Sequence, residues 1–140
     1  MKIAITDTEI DKCFTTMKEL RPNLIKAEFV NTIHGMQNEG FILSYIEENE
    51  IITCVAGFRI YSSLAVEGKA MYIYDLITSE THRSKKYGER MLRSLAEYAK
   101  SANCKVIHLD SHVKRNKAHR FYLKNKFDII AHHFWMEVSL

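Results

Sequence analysis

The spacing of apolar residues changes period several times along the chain, and each change marks an element. Residues 2–6 are short and alternating, a strand pattern. Thr6 with Glu9 three residues on forms a capping-box pair, and Ile10, Phe14, Met17 and Leu20 follow at helical spacing. Pro22 stops that helix, and a second stripe at Ile25, Phe29, Ile33 and Met36 runs until Asn38, Glu39 and Gly40 break it. From Phe41 the pattern turns β-rich. Residues 41–47 and 51–60, separated by Glu48, Asn49 and Glu50, fit an antiparallel hairpin, and residues 71–78 form a third run. Tyr87, Met91, Leu92, Leu95, Tyr98 and Ala99 then trace one helix face that ends near Asn103, a residue that tolerates left-handed backbone. Residues 104–110 read as a buried strand, 116–126 as a short helix with Ala118, Phe121 and Tyr122 inward, and 127–138 as a last strand or tight strand pair. Strand, helix and strand over residues 71–110 are long enough for a crossover between parallel neighbours, whereas the middle strands are joined too tightly to be other than antiparallel. The expected class is α/β, a mixed sheet with helices on both faces.

Composition narrows this. A chain of 140 residues, 46% apolar and 26% charged with one proline and five glycines, has the size and balance of one packed domain spanning 1–140. A formal charge of +3 is too small to imply nucleic-acid binding by itself. Cys13, Cys54 and Cys104 are widely spaced with no CxxC pair, so they read as buried apolar residues in a reducing compartment. Asp7 comes too early for a secretory segment and no apolar run approaches the length of a membrane span. A soluble cytoplasmic protein with no membrane partner is the expectation.

Two motifs carry the chemistry. Residues 74–88 place a strand, then Arg83-Ser84-Lys85-Lys86-Tyr87-Gly88, then a helix, which is similar to motif A of the GNAT N-acetyltransferase superfamily, R-x-x-G-x-G/A. Arg83 and Gly88 match, and Lys86 stands where the family usually has its middle glycine. Downstream, residues 116–127 resemble N-x-x-A-x-x-F-Y-x-x-x-G-F: Asn116, Phe121, Tyr122 and Phe127 keep the register, and Lys126 replaces a glycine. If position 126 needs φ > 0, lysine is strained there by about 1 kcal/mol. The order, spacing and element context of the two motifs agree over roughly residues 70–130.

The resemblance implies a single GNAT-like domain, a mixed sheet of six to seven strands flanked by about four helices. It implies an enzyme that transfers an acetyl group from acetyl-coenzyme A to a primary amine by direct attack in a ternary complex. The backbone of Leu76, Ile77 and Thr78 would pair with the pantetheine arm. The backbone N–H groups of Arg83, Ser84, Lys85, Lys86, Tyr87, Gly88 and Glu89, at a helix N-terminus, would bind the pyrophosphate. Asn116 and Lys117 would contact the cofactor, and Tyr122 would lie near the thioester sulfur. A phenol keeps its proton at neutral pH and can give it to a thiolate, so Tyr122 is the candidate general acid; a core aromatic is its other reading. Asp75 is the candidate base, with an ion-paired or solvated carboxylate as the alternative. Glu28, Tyr61 and Tyr72 are candidates to line the acceptor pocket, and no metal is implied.

Other classes fit less well. His108, Asp110 and His112 fall at i, i+2 and i+4, but three ligands on one extended strand span too far to converge on an ion without a sharp bend. The basic clusters, Arg83, Lys85, Lys86 and Arg90 and then Lys114, Arg115, Lys117, Arg120, Lys124 and Lys126, suit the phosphates of coenzyme A and lack the interleaved aromatics of a polynucleotide site. A module that binds acyl-coenzyme A without turnover stays open, because both lysine replacements fall on the cofactor side. Phe134, Trp135 and Met136 would suit a homodimer contact through the late strands.

Overall fold

A computed structural model describes residues 1–139. By density of contacts the chain divides into two compact units, Met1–Leu109 and a smaller one beginning at Asp110. In the first, β1 (Lys2–Ile3) is followed by α1 (Asp7–Leu20), α2 (Lys26–Asn38), β2 (Phe41–Glu48), β3 (Ile51–Ser63), β4 (Gly68–Thr78), a 3₁₀ turn (Glu80–His82), α3 (Tyr87–Ser101) and β5 (Cys104–Leu109). The sheet order is β1-β2-β3-β4-β5, antiparallel throughout except for the parallel β4–β5 pair that α3 connects.

The α1 start forms as its sequence dictates. The Glu9 amide donates to Thr6 Oγ1 at 3.3 Å and the Thr6 amide donates to Glu9 Oε2 at 2.9 Å, so each residue satisfies a group the first turn leaves unpaired. Because Thr6 is already the cap, β1 is confined to Lys2–Ile3, shorter than the pattern suggests. Ile10, Cys13, Phe14 and Met17 of α1 pack with Phe29 and Ile33 of α2 over Leu43, Tyr45 and Val55 of the sheet. Phe14 and Phe29 meet edge to face at 5.3 Å. The alternate residues point the other way: Ser44 Oγ reaches Met91 Sδ of α3 at 3.9 Å, and Phe58 meets Tyr98 at 5.4 Å. Met91, Leu92, Leu95 and Ala99 are the buried stripe of α3. Helices therefore cover both faces.

The β2–β3 turn has Asn49 at φ 49 and Glu50 at φ 64, left-handed at both central positions, which matches the twist of the strands it joins. One irregularity interrupts the β3–β4 ladder. Gly57 pairs with Asp75 while its neighbour Phe58 pairs with Ile73, so Tyr74 is an extra residue bulged out of β4.

The second unit holds α4 (Asn116–Lys124). Its end is a Schellman motif: Phe127 N–H donates to the Tyr122 carbonyl at 3.1 Å, Lys126 N–H donates to the Leu123 carbonyl at 3.1 Å, and Lys126 sits at φ 67. The family's glycine position is left-handed here although lysine fills it. The expected strand over residues 127–138 is not formed, and the sheet has five strands rather than six to seven, with four α-helices among the described residues. Ile129, Ile130, Phe134 and Trp135 supply β propensity, but a strand exists only through ladder hydrogen bonds to a neighbour, and this stretch makes none. Phe134, Trp135 and Met136 are 91%, 81% and 83% exposed.

Candidate active site

The path from β4 into α3 is built on left-handed backbone. Thr78 ends β4, the 3₁₀ turn follows, Arg83 is extended, and then Ser84 at φ 64 and Lys86 at φ 65 bracket Lys85 before α3 begins. Alternating conformations of this kind turn successive N–H groups toward one side, and α3 adds the positive end of a helix dipole. No side chain caps α3, so its first amides are not taken up by an N-cap residue. A pocket of about 380 Å³ opens here, lined by Glu48, Lys85, Lys86, Tyr87, Glu89, Arg90 and Arg93. Four of the seven are cationic, which suits an anion.

Of the two carboxylates in this lining, Glu48 visibly competes for that charge. Glu48, at the end of β2, accepts a 2.6 Å hydrogen bond from the Tyr87 hydroxyl and pairs with Arg90. Those two donors hold Glu48 below the ordinary carboxylate range, and the same contact raises the Tyr87 phenol. Nothing in the sequence pattern singles out Glu48, which reads as the flank of a hairpin turn. Arg83 is turned toward α1, 3.6 Å from Glu19, which also accepts from the Glu80 amide at 2.8 Å. Gly88 and Glu89 lie in the first turn of α3, and Glu89 lines the pocket.

On β4, Leu76, Ile77 and Thr78 pair with Ala56, Val55 and Cys54 of β3. The ladder to β5 ends at Ile73↔Leu109, so β4 runs on through the segment expected to hold the pantetheine without a β5 partner. Asp75 lies at the bulge. Its carboxylate accepts from Arg21 Nε at 2.8 Å, and Arg21 also donates to the Tyr74 carbonyl at 3.3 Å, which ties the end of α1 to the bulge.

Ahead of the bulge, Tyr61 and Tyr72 come together through His108. The Tyr61 hydroxyl is 2.6 Å from His108 Nε2, and the His108 ring meets Tyr72 edge to face at 4.9 Å. Tyr72 meets Tyr74 at 4.5 Å, and Arg59 lies over the Tyr74 ring at 5.6 Å while pairing with Glu39. Glu28, also a candidate to line that pocket, is exposed in the first turn of α2. Strand register assembles the aromatic group, so no local sequence signal announces it. His108, Asp110 and His112 have separate partners: Asp110 pairs with His133 at 2.9 Å, and the His112 ring accepts from the Lys114 amide at 3.2 Å. No three His, Cys, Asp or Glu side chains are grouped to hold a metal among the described residues.

In the second unit, Asn116 and Lys117 open α4, and Tyr122 stacks edge to face with Phe121 at 5.4 Å and Phe127 at 5.6 Å. Elsewhere burial pushes the Cys13 thiol up to about 12 and the Cys54 thiol up to about 11, which leaves both unreactive.

A profile of the acetyltransferase (GNAT) family matches residues 8–127, spanning both motifs. The chain belongs to the GNAT acetyltransferase family. An uncharacterized N-acetyltransferase of Bacillus subtilis (strain 168), YhdJ, is 30% identical over 123 residues, covering 87% of this chain and 86% of that protein. Among solved structures, glucosamine-6-phosphate N-acetyltransferase from Arabidopsis thaliana superposes with a TM-score of 0.78 at 22% identity, over 99% of this chain and 98% of that one. Aminoglycoside N-acetyltransferase AAC(6')-Iy, solved with CoA, superposes with a TM-score of 0.84 at 9% identity, over 99% of this chain and 95% of that one. Both structures share the fold of this chain. No helix among the described residues is long and apolar enough to cross a membrane.

Proposed function

We propose that this acetyltransferase moves the acetyl group of acetyl-coenzyme A to a primary amine by direct attack. The observation that carries the reading is the turn at Ser84–Lys86, left-handed at both ends and opening into a cationic pocket at the start of α3, on the residues that match the family's pyrophosphate motif. A pyrophosphate needs several N–H donors and positive charge at close range, and this turn supplies both. The stretch of β4 over Leu76, Ile77 and Thr78, paired with β3 on one edge and without a β5 partner on the other, offers backbone groups to the amides of the pantetheine arm. In this reading Arg83, Ser84, Lys85, Lys86, Tyr87, Gly88 and Glu89 hold the phosphates, with Asn116 and Lys117 as further contacts.

Acetyl transfer needs a neutral amine, a thioester and a proton for the departing thiolate. Tyr122 is assigned as that proton donor by the family signature it keeps, and removing its hydroxyl should slow turnover without weakening coenzyme A binding. Asp75 is close enough to the pantetheine segment in sequence to serve as base, but its pairing with Arg21 favours a role in fixing the bulge.

The test is thermal melting with acetyl-coenzyme A, coenzyme A, 3′-dephospho-coenzyme A and ATP, followed by thiol release in the presence of amines. A ligand that binds only the folded state raises the midpoint. A rise specific to the coenzyme A compounds with amine-dependent thiol release is expected. A rise without thiol release would leave an acyl-coenzyme A sensor, and no rise at millimolar ligand would overturn the cofactor site.

A further inference from the structure

We infer that Tyr61 and His108 form the route by which the acceptor amine loses its proton, an inference that rests on the acetyl-transfer reading above. The two residues are 47 positions apart and meet only because β3, β4 and β5 are neighbours. Register puts them on one face. Tyr61 pairs with Ala70, Arg59 with Tyr72, and Tyr72 with His108, so Arg59, Tyr61, Tyr72 and His108 share the side of the sheet that α1 and α2 cover farther along, at Tyr45 and Val55. The pair Tyr72↔His108 stands next to Ile73↔Leu109, the last rung before β4 runs on alone toward the pantetheine segment. The relay is thus at the side of the strand where the thioester is expected, and Tyr61 is 41% exposed and open to a substrate.

The chemistry asks for such a group. An alkylammonium ion has no lone pair, and a proton acceptor works best when its charge change falls near the operating pH, which among side chains favours imidazole. Two carboxylates near this group already hold cations: Asp75 pairs with Arg21, and Glu39 pairs with Arg59. With His108 in its Nδ1–H tautomer, the Tyr61 hydroxyl donates to Nε2. The ammonium passes a proton to Tyr61 Oη as Oη passes its own to Nε2, leaving the phenol intact, an imidazolium, and a neutral amine. The amine lone pair forms the C–N bond at the thioester carbonyl. As the C–S bond breaks the nitrogen loses a second proton and the thiolate gains one, and the imidazolium returns its proton to water, so one proton is released overall. Tyr72 keeps the imidazole ring in place by the edge contact at 4.9 Å.

The experiment measures thiol release from acetyl-coenzyme A by the full chain with spermidine, glucosamine, free lysine and a lysine-containing peptide. It compares the wild type with His108→Ala, Tyr61→Phe and Asp75→Asn. A positioned base contributes about 10²- to 10⁴-fold, so His108→Ala should lower kcat by about 100-fold or more, with the KM for acetyl-coenzyme A and the coenzyme A-induced melting shift unchanged. Added imidazole should restore part of the His108→Ala rate in proportion to its concentration, which a purely structural histidine would not allow. A His108→Ala rate equal to wild type, a loss that imidazole cannot rescue, or a loss confined to Asp75→Asn would overturn the relay. Wild-type protein that binds coenzyme A yet releases no thiol with any of the four amines would overturn the transfer reading itself, and the relay with it.

Discussion

Two lysines in left-handed backbone ask for opposite treatment. At Lys126 the backbone closes a Schellman turn at φ 67, where a Cβ crowds the carbonyl oxygen. Lys126→Gly should therefore raise stability by up to about 1 kcal/mol, less what glycine returns to the unfolded chain as entropy. Urea unfolding would read this, and a loss of stability would mean that the lysine stem makes a contact worth more than the strain. Lys86 is equally left-handed, at φ 65, but lines the cationic pocket. Lys86→Gly should relieve the same strain while weakening coenzyme A and flattening the salt dependence of its binding, a split that calorimetry and melting together would resolve. Glu48 lines the same pocket as Lys86, and it occupies Tyr87 and Arg90 when no phosphate does. Glu48→Gln should tighten coenzyme A roughly two- to fivefold, the scale of an exposed ion pair. Because its neighbours lower the Glu48 pKa, the carboxylate stays charged at neutral pH. The advantage of the variant should shrink as pH falls through that lowered value and the wild-type carboxylate becomes neutral.

Among the elements, β3 and α1 show what sequence does and does not disclose. The helix α1 was legible from its cap and stripe, because both signals lie within a few residues, and Thr6→Ala should cost about 1 kcal/mol on denaturation. The left-handed end at Asn103 was legible for the same reason, since helix termination is local, whereas at Lys126 only the family's glycine hinted at it. The bulge at Tyr74 was not, because it is a mismatch between two strands and neither strand carries it alone. Gly57 sits opposite that mismatch. A Cβ there would lie 2.3 Å from Phe41 Cζ and 3.1 Å from Asp75 Oδ2. Phe41 is nearly buried and has little room to swing away, so Gly57→Ala should cost about 1–3 kcal/mol by overpacking. Chemical denaturation would measure it. If Phe41 yields instead, the substitution would be silent in stability and would disturb the bulge that holds Asp75 against Arg21.

At the scale of the whole molecule, motif residues such as Arg83, Lys86 and Asn116 could be found in the sequence because their spacing is read along the chain. The Tyr61–His108 contact and the place of Glu48 depend on strand order, which spacing does not encode. The strand expected over residues 127–138 misled for a related reason, since propensity names a conformation and not a partner. Ionisation adds up over the same scale. Glu9, Glu47 and Glu48 are all held below their ordinary value of 4.5, Glu9 mainly by backbone amides, Glu47 by Lys2 and Lys12, and Glu48 by Tyr87 and Arg90. Groups lowered on folding stabilise fully above the unfolded pKa and cease to do so as pH falls through the folded one. His34 runs the other way: its contact with Asp7 at 2.6 Å raises it above 6.5, so its contribution is complete below that value and fades as pH rises through the folded pKa. The two trends leave the melting temperature highest between about pH 5 and 6.5, falling on the acid side as the three carboxylates are protonated and declining more gently on the neutral side. His34→Gln should flatten the neutral-side decline and leave the acid side unchanged. A neutral-side slope that survives the substitution would assign it to another group and remove the Asp7–His34 bridge between α1 and α2 from the account of stability.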